Sequence, residues 1–427
     1  TAQLPKGSRG GYFPSVSAAW RMSEEPFLKD HAKWLSNLKI RASWGQSGYD
    51  KFFAASMPFP YYGEYVQGNG YVIGGNTEQT FYMPVLPNER LTWETMTTYN
   101  AGLDFSFFGN SLYGEADAFY QLRDGIIGNR GAGTSDTFGI QMPSENLNSL
   151  STRGFEFSLG YRNEFKVGGR PFQLDVKGNV SWSRAKYEDW FEPTYEKAED
   201  RRLKQLSGNW TDRTFVYKTD GLFTSLRDIA EYPAVYKNLS QGNSGLKKGD
   251  LRIVDVDGNG EINEYDMVEV RGPVPHWMLG LDMTFSHRGF SLYLQFQGAL
   301  GAYKNISSVI GANDVTFENR WTEENNRPRA LFPRLGGQTA IYNASSDYFI
   351  KSSDYLRLKN LSFSYDFPKR WMSKVRIENL RLFFTATNLF TLSHLNRYNI
   401  DPEAPTNHSI YYYPQMRTFT LGLNITL

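Results

Sequence analysis

Apolar and polar residues alternate along this chain with a period of two, in segments of about ten residues or more, the length a tilted strand needs to cross a bilayer. At the C-terminus Phe419, Leu421, Leu423, Ile425 and Leu427 share one face of an extended strand, and Thr418, Thr420, Gly422, Asn424 and Thr426 share the other. The same parity sets Tyr99, Ala101, Leu103, Phe105 and Phe107 against Asn100, Gly102, Asp104 and Ser106. It sets Phe155, Phe157, Leu159 and Tyr161 against Glu156, Ser158, Gly160 and Arg162, and Trp277, Leu279, Leu281, Met283 and Phe285 against Gly280, Asp282, Thr284 and Ser286. The pattern predicts about 11 strands, near 10–20, 37–47, 91–107, 111–127, 148–163, 172–188, 276–287, 290–301, 353–366, 378–392 and 415–427.

The connections alternate in length. Gly109-Asn110 and Arg288-Gly289 read as minimal hairpin turns, and the links at 164–171 and 367–377 are short. The links at 48–90, 128–147, 189–275, 302–352 and 393–414 are long. Short turns at one end and long loops at the other are the asymmetry of an outer-membrane barrel, with the short turns periplasmic. A β-sandwich or propeller also has many strands, but rarely keeps one parity over so many hairpins. One segment breaks the pattern: Ser23–Asn37 carries Phe27, Leu28, Trp34 and Leu35 at helix-like spacing where a periplasmic turn is due, and predicts a short helix.

Composition sharpens this picture. Aromatic residues make up 16% of the 427 and glycine is frequent at 39, which suits strands and tight turns. No run of about 18 apolar residues exists, so no transmembrane helix is expected; the mean hydropathy of −0.51 is compatible with strands that turn only every second residue to lipid. A net charge of +1 leaves no broad basic face for nucleic acid. Cysteine is absent, which removes disulfides, thiolate metal sites and cysteine nucleophiles. Thr1–Ser8 holds no apolar signal-peptide core, so the chain is expected to start partway through a longer protein.

Several segments resemble the SusC/RagA family of TonB-dependent outer-membrane transporters of Bacteroidetes. They are Gly11-Tyr12-Phe13-Pro14-Ser15-Val16-Ser17-Ala18 leading to Trp20-Arg21, Leu38-Lys39-Ile40-Arg41-Ala42-Ser43-Trp44-Gly45-Gln46-Ser47-Gly48, and Leu91-Thr92-Trp93-Glu94 leading to Tyr99-Asn100-Ala101-Gly102-Leu103-Asp104. Arg153-Gly154-Phe155-Glu156, Asp354-Tyr355-Leu356-Arg357-Leu358-Lys359-Asn360-Leu361 and Ala386-Thr387-Asn388-Leu389-Phe390 add to the likeness, which spans the whole chain. The resemblance implies an all-β transmembrane antiparallel barrel of 22 strands around a plug, of which this chain supplies the C-terminal part. With about 11 strands the remainder is expected from a preceding portion or another chain. It also implies localisation in the bacterial outer membrane, a SusD-like lipoprotein lid, TonB acting through an N-terminal plug, and import of an oligosaccharide or, second, an oligopeptide. Leu427 departs from the terminal aromatic of many such barrels.

Within the long 189–275 loop, Asp255-Val256-Asp257-Gly258-Asn259-Gly260-Glu261-Ile262-Asn263-Glu264-Tyr265-Asp266 has calcium-loop spacing. Asp255, Asp257, Asn259 and Asp266 would offer side-chain oxygens and Glu261 its carbonyl, with Asp266 in place of the usual bidentate glutamate. The alternative is a metal-free Asp/Asn/Gly turn. The resemblance implies a structural Ca2+ bracing the extracellular loop. Aromatic residues gather at Phe59, Tyr61, Tyr62, Tyr65, Tyr71, Phe81 and Tyr82, and again at Tyr411, Tyr412 and Tyr413. Tyr61, Tyr62, Tyr65, Tyr71, Tyr82, Tyr411 and Tyr412 are candidates for stacking on substrate; the alternatives are girdle positions or loop packing.

Enzyme signatures are missing: the five histidines are dispersed, and there is no GxSxG elbow or phosphate loop. Glu115, Asp117, Glu156 and Asp282 fall on the polar face of predicted strands. The expected activity is transport. A secreted, calcium-braced all-β glycan-binding protein or hydrolase, and a passive porin, are the competing readings; the first would lack a continuous lipid-facing apolar surface.

Overall fold

The computed structural model describes residues 2–50, 59–130, 134–239, 241–307, 314–336, 342, 345–405, 412, 413 and 415–427. Eleven strands form one antiparallel sheet in chain order. They are β1 (Ser15–Arg21), β2 (Leu35–Tyr49), β3 (Glu94–Phe107), β4 (Leu112–Asn129), β5 (Ser144–Val167), β6 (Arg170–Asp189), β7 (Trp277–His287), β8 (Phe290–Leu300), β9 (Tyr355–Asp366), β10 (Asn379–Ser393) and β11 (Thr418–Thr426). The expected strands are all present. Several run longer than the alternation indicated: β5 has 24 residues and β6 has 20, joined by Gly168-Gly169.

Register explains the parity. Ile40, Leu103, Ala116, Phe157, Val180 and Leu279 are successive cross-strand partners, so one apolar row crosses six strands on the convex face. One residue along, Arg41, Gly102, Asp117, Glu156 and Ser181 form the matching row on the concave face. A slip of one residue would exchange the two rows and bury charge in lipid.

Aromatic pairs mark both ends of the apolar band. Near the short turns Trp34 stacks on Phe107 at 5.5 Å, Phe165 on Phe172 at 5.0 Å, and Phe290 lies 4.4 Å from Tyr365. Near the long loops Phe155 meets Trp182 at 6.2 Å and Trp277 at 5.6 Å. From Phe155 to Phe165 is ten residues of β5, which at about 3.3 Å per residue and a tilt of about 40° spans about 25 Å, the height of a barrel's lipid-facing band.

The segment expected to be a helix at Ser23–Asn37 is shorter than that. A 3-10 turn at Met22–Glu24 and one helical turn at Pro26–Lys29 precede β2, which already begins at Leu35. Proline at the first helical position starts the turn, but four residues cannot sustain a helix without packing.

The buried core lies outside the sheet. Phe223, Leu251, Ile253 and Ile262 from the β6–β7 loop pack with Ile306, Phe332 and Phe349 from the β8–β9 loop and Leu395 from the β10–β11 loop, all at most 1% exposed. Short ladders brace this body, among them Arg213–Tyr217 with Met267–Arg271, Thr219–Leu222 with Leu251–Ile253, and Tyr303–Asn305 with Ile350–Ser352. Three long loops therefore form one packed unit over the long-loop end of the sheet.

Candidate functional site

The concave wall carries a cavity of about 1000 Å³, and the four carboxylates expected on polar strand faces, Glu115, Asp117, Glu156 and Asp282, all line it. Their placement follows from strand parity alone. Arg41 reaches across β3 to bind Asp104 at 2.9 Å and Asp117 at 2.8 and 2.6 Å, and Lys39 adds a 3.2 Å contact to Asp104. Ser158 donates to Glu115 at 3.1 Å and Tyr293 to Asp282 at 2.6 Å. Glu156 sits directly opposite Asp117. Asn100, Gln121, Lys177 and Asn179 complete a surface rich in donors and acceptors. Such a wall exchanges hydrogen bonds with a hydrated solute.

Above it, at the loop end, Arg357 of β9 is 1% exposed and binds both carboxylate oxygens of Asp401 at 2.8 Å and Glu403 at 2.5 Å. Tyr355 also donates to Glu403, at 3.0 Å. Lys304, 2% exposed, donates to the carbonyls of Asp401 at 3.3 Å and Pro402 at 3.4 Å and to that of Ala404. Burial pushes the Lys304 ammonium below its ordinary value, the nearby Asp401 charge acting the other way. The Asp401–Ala404 turn is thereby clamped between the β8–β9 loop and the sheet. A second cavity, about 510 Å³, adjoins it, lined by Thr391, Asn396, Asn399, Tyr412, Gln415 and Arg417. Arg357 was legible only as a motif residue; its acidic partners Asp401 and Glu403 lie more than 40 positions away.

The predicted aromatic residues divide. Tyr61 is buried: its hydroxyl donates to the Ala2 carbonyl at 3.0 Å and accepts from Arg9 at 3.2 Å, and its ring lies 4.5 Å from Tyr62. It packs its own loop. Tyr62, Tyr65, Tyr71 and Tyr82 are exposed, and Tyr82 lines a separate cavity beside Asn129 and Gln141. Tyr412 borders the Asp401 cavity, its hydroxyl 3.4 Å from the Asp401 amide. Tyr411 lies outside the described residues.

In the Asp-rich loop, Asp255, Asp257 and Asp266 each bring a carboxylate oxygen within 4.8 Å of the others. Asp255 accepts from the Gly258 and Gly260 amides at 2.8 Å each, and both glycines hold positive φ, 73° and 82°. Asn259 accepts from the Glu261 amide at 2.7 Å, while the Glu261 carboxylate pairs with Lys237 at 2.8 Å and so leaves only its carbonyl for the loop. Asp266, fully buried, accepts from Val256 at 2.7 Å and Asn263 at 2.8 Å. Burial pushes the Asp266 carboxyl above its ordinary value despite those amides, and the Asp257 charge adds to the push. Three carboxylates this close, with no ion pair among the described residues, fit a divalent cation.

An antiparallel meander with short turns at one end, packed loops at the other, paired aromatic girdles and a polar concave face is the wall of a transmembrane β-barrel. Residues 2–389 match the family described as TonB dependent receptor-like, beta-barrel. The chain is 27% identical over 440 residues to the TonB-dependent receptor SusC of Bacteroides thetaiotaomicron, covering 100% of this chain and 41% of that protein. It is 26% identical over 449 residues to the TonB-dependent receptor P3 of Formosa agariphila, covering 100% of this chain and 43% of the relative. Among solved structures, the RagAB peptide importer in the 'open-open' state superposes with a TM-score of 0.72 at 17% identity, covering 100% of this chain and 44% of that one. The chain thus belongs to the TonB-dependent receptor β-barrel family of the outer membrane, on its SusC/RagA branch. It spans less than half the length of the curated relatives it matches.

Proposed function

We propose that the whole protein imports an oligosaccharide across the outer membrane, coupled to TonB and capped by a surface lipoprotein of the SusD kind, and that its activity is transport and not turnover. The observation that carries this reading is the concave wall, where hydroxyls, amides and fixed ion pairs around about 1000 Å³ offer hydrogen bonds to a large hydrated solute. The continuous apolar row on the convex face argues against the secreted glycan-binding or hydrolase reading, which needs no such face. An oligopeptide is the second reading, supported by Lys177 and Glu156, which carry opposite charges on the same wall. The test is uptake by cells lacking the full-length protein, with defined oligosaccharides and oligopeptides offered separately. Loss of saccharide uptake alone supports the first reading, and loss of peptide uptake alone replaces it with the second. Loss of neither removes both.

We propose also that the 255–266 loop holds Ca2+, with Asp255, Asp257, Asn259 and Asp266 donating side-chain oxygens and Glu261 its carbonyl. The ion would cross-link a loop whose Ile262 is wholly buried in the loop core. Calorimetric titration of chelator-treated full-length protein with CaCl2 is expected to show binding that Asp257→Asn weakens at least tenfold. A featureless titration leaves an Asx-stabilised turn.

A further inference from the structure

The convex face carries a cluster of basic side chains next to the long-loop girdle. Phe155, Trp182 and Trp277 mark the girdle. One step further toward the loops on the same face, Arg153 of β5 stands directly opposite Arg184 of β6, and opposite Tyr120 of β4 on its other side. Beyond the start of β7 the chain supplies a substitute strand: Thr211 donates to the Ala185 carbonyl at 3.0 Å and Tyr187 to Asn209 at 2.9 Å, which brings Trp210 opposite Lys186. Both guanidiniums lie over the Trp210 ring, Arg153 at 4.6 Å and Arg184 at 4.3 Å from its centre.

The two arginines differ in what neutralises them. Arg184 donates to Asp212 at 3.0 Å, and Asp212 also holds the His276 ring at 2.6 Å. Lys186 pairs with Glu188 at 3.5 Å. Arg153 is exposed and has no carboxylate partner among the described residues. Two like charges facing each other across a ladder are unfavourable unless an anion joins them. A long side chain at this level can keep its stem on the apolar band and its head in the interface. With the long loops extracellular, that head lies level with the headgroups of the outer leaflet, beside Trp and Tyr rings of the kind that settle there.

We propose that Arg153, set beside Arg184 and Trp210, is a docking site for the phosphate of an outer-leaflet lipid. The phosphate meets the Arg153 guanidinium at its N–H edge, whose planar fork matches phosphate oxygens, while Trp210, under its face, and Tyr120 flank the lipid's polar head. The inference rests on the membrane placement of the sheet and is independent of the cargo.

The test is native mass spectrometry of the full-length protein in mild detergent, titrated with bisphosphorylated lipid A, with the same lipid stripped of phosphate, and with inorganic phosphate alone. Wild type is expected to retain the phosphorylated lipid in preference to the stripped one. Arg153→Gln is expected to weaken retention about fivefold, the fold-change for about 1 kcal/mol per arginine near a charged membrane surface. Arg153→Lys is expected to retain more than the glutamine variant. Arg162→Gln, at the other end of the sheet and on the concave face, serves as a control and leaves retention unchanged. Heat-modifiable electrophoretic migration of each variant reports that the barrel is intact. Equal retention by wild type and Arg153→Gln, or equal retention of the stripped lipid, overturns the proposal. Displacement of the lipid by inorganic phosphate also overturns it, in favour of a free-anion site.

Discussion

Arg357 of β9 grips both carboxylate oxygens of Asp401, 44 residues further along the chain, at 2.8 Å each. With the guanidinium 1% exposed and the carboxylate 21% exposed, this is a largely desolvated pair, one guanidinium nitrogen shared between both oxygens, that fastens the β10–β11 loop to the barrel wall. Removing one partner of such a pair leaves the other charge unmatched and costs about 3 kcal/mol. Arg357→Ala is therefore expected to loosen Asp401–Ala404, seen as faster amide exchange there, with exchange in β5 and β6 unchanged.

Glu94 and Arg123 make a second such fastening. β4 carries a bulge where Gly125 adopts a φ of 69° and the ladder to β5 shifts register. The 2%-exposed Glu94 carboxylate accepts from the Ile127 amide at 3.1 Å and from Arg123 at 2.9 Å, taking up a donor that the bulge frees. Glu94→Ala orphans that amide and is expected to cost about 2 kcal/mol locally, measured as loss of exchange protection at residues 123–127.

Lipid enforces the sheet's parity. Leu281 belongs to the apolar face and Asp282, its neighbour, lines the concave cavity. Leu281→Arg is expected to destabilise the full-length barrel by about 2–4 kcal/mol in lipid, read from urea unfolding in bilayers. Asp282→Asn, one residue away, is expected to change stability by less than about 1 kcal/mol.

Acid is expected to release the foot of the β6–β7 loop. Burial alone pushes the Asp212 carboxyl up, but hydrogen bonds from Arg184 and His276 outweigh it and hold it below the ordinary 3.8. A carboxyl held low in the folded state stabilises that state above its unfolded value, and the contribution disappears as pH falls through the folded value. Amide exchange at 185–187 and 209–212, corrected for intrinsic rates, is expected to differ between wild type and Asp212→Asn at pH 6 and to converge only as pH falls well below the ordinary 3.8.

The barrel was legible because each spanning residue answers to one neighbour, lipid or lumen, and Phe155, Phe157, Leu159 and Tyr161 report that directly. The Asp-rich loop was legible for a related reason: its oxygens come from one contiguous stretch, so spacing carries the geometry. The loop core was not. Ile253, Phe349 and Leu395 meet from three loops with no period linking them, and each reads alone as an ordinary loop residue. Tyr61 misled for the same cause, since its burial depends on Arg9 and the Ala2 carbonyl, which lie more than 50 residues earlier. The Arg357 clamp joins a strand to a distant turn and left no local sign beyond its motif.

The position of that loop core bears on how the protein responds to temperature. A barrel wall inserted in lipid gains little hydrophobic driving force between its strands, because hydrocarbon surrounds its outer residues before and after they pair. The loop core instead hides Phe223, Phe332, Phe349 and their neighbours from water, and burial from water is what gives unfolding its positive heat capacity. Curvature with temperature, including weakening in the cold, is accordingly expected to be concentrated in the extracellular loops, with chilling relaxing the mouth of the barrel before the wall below.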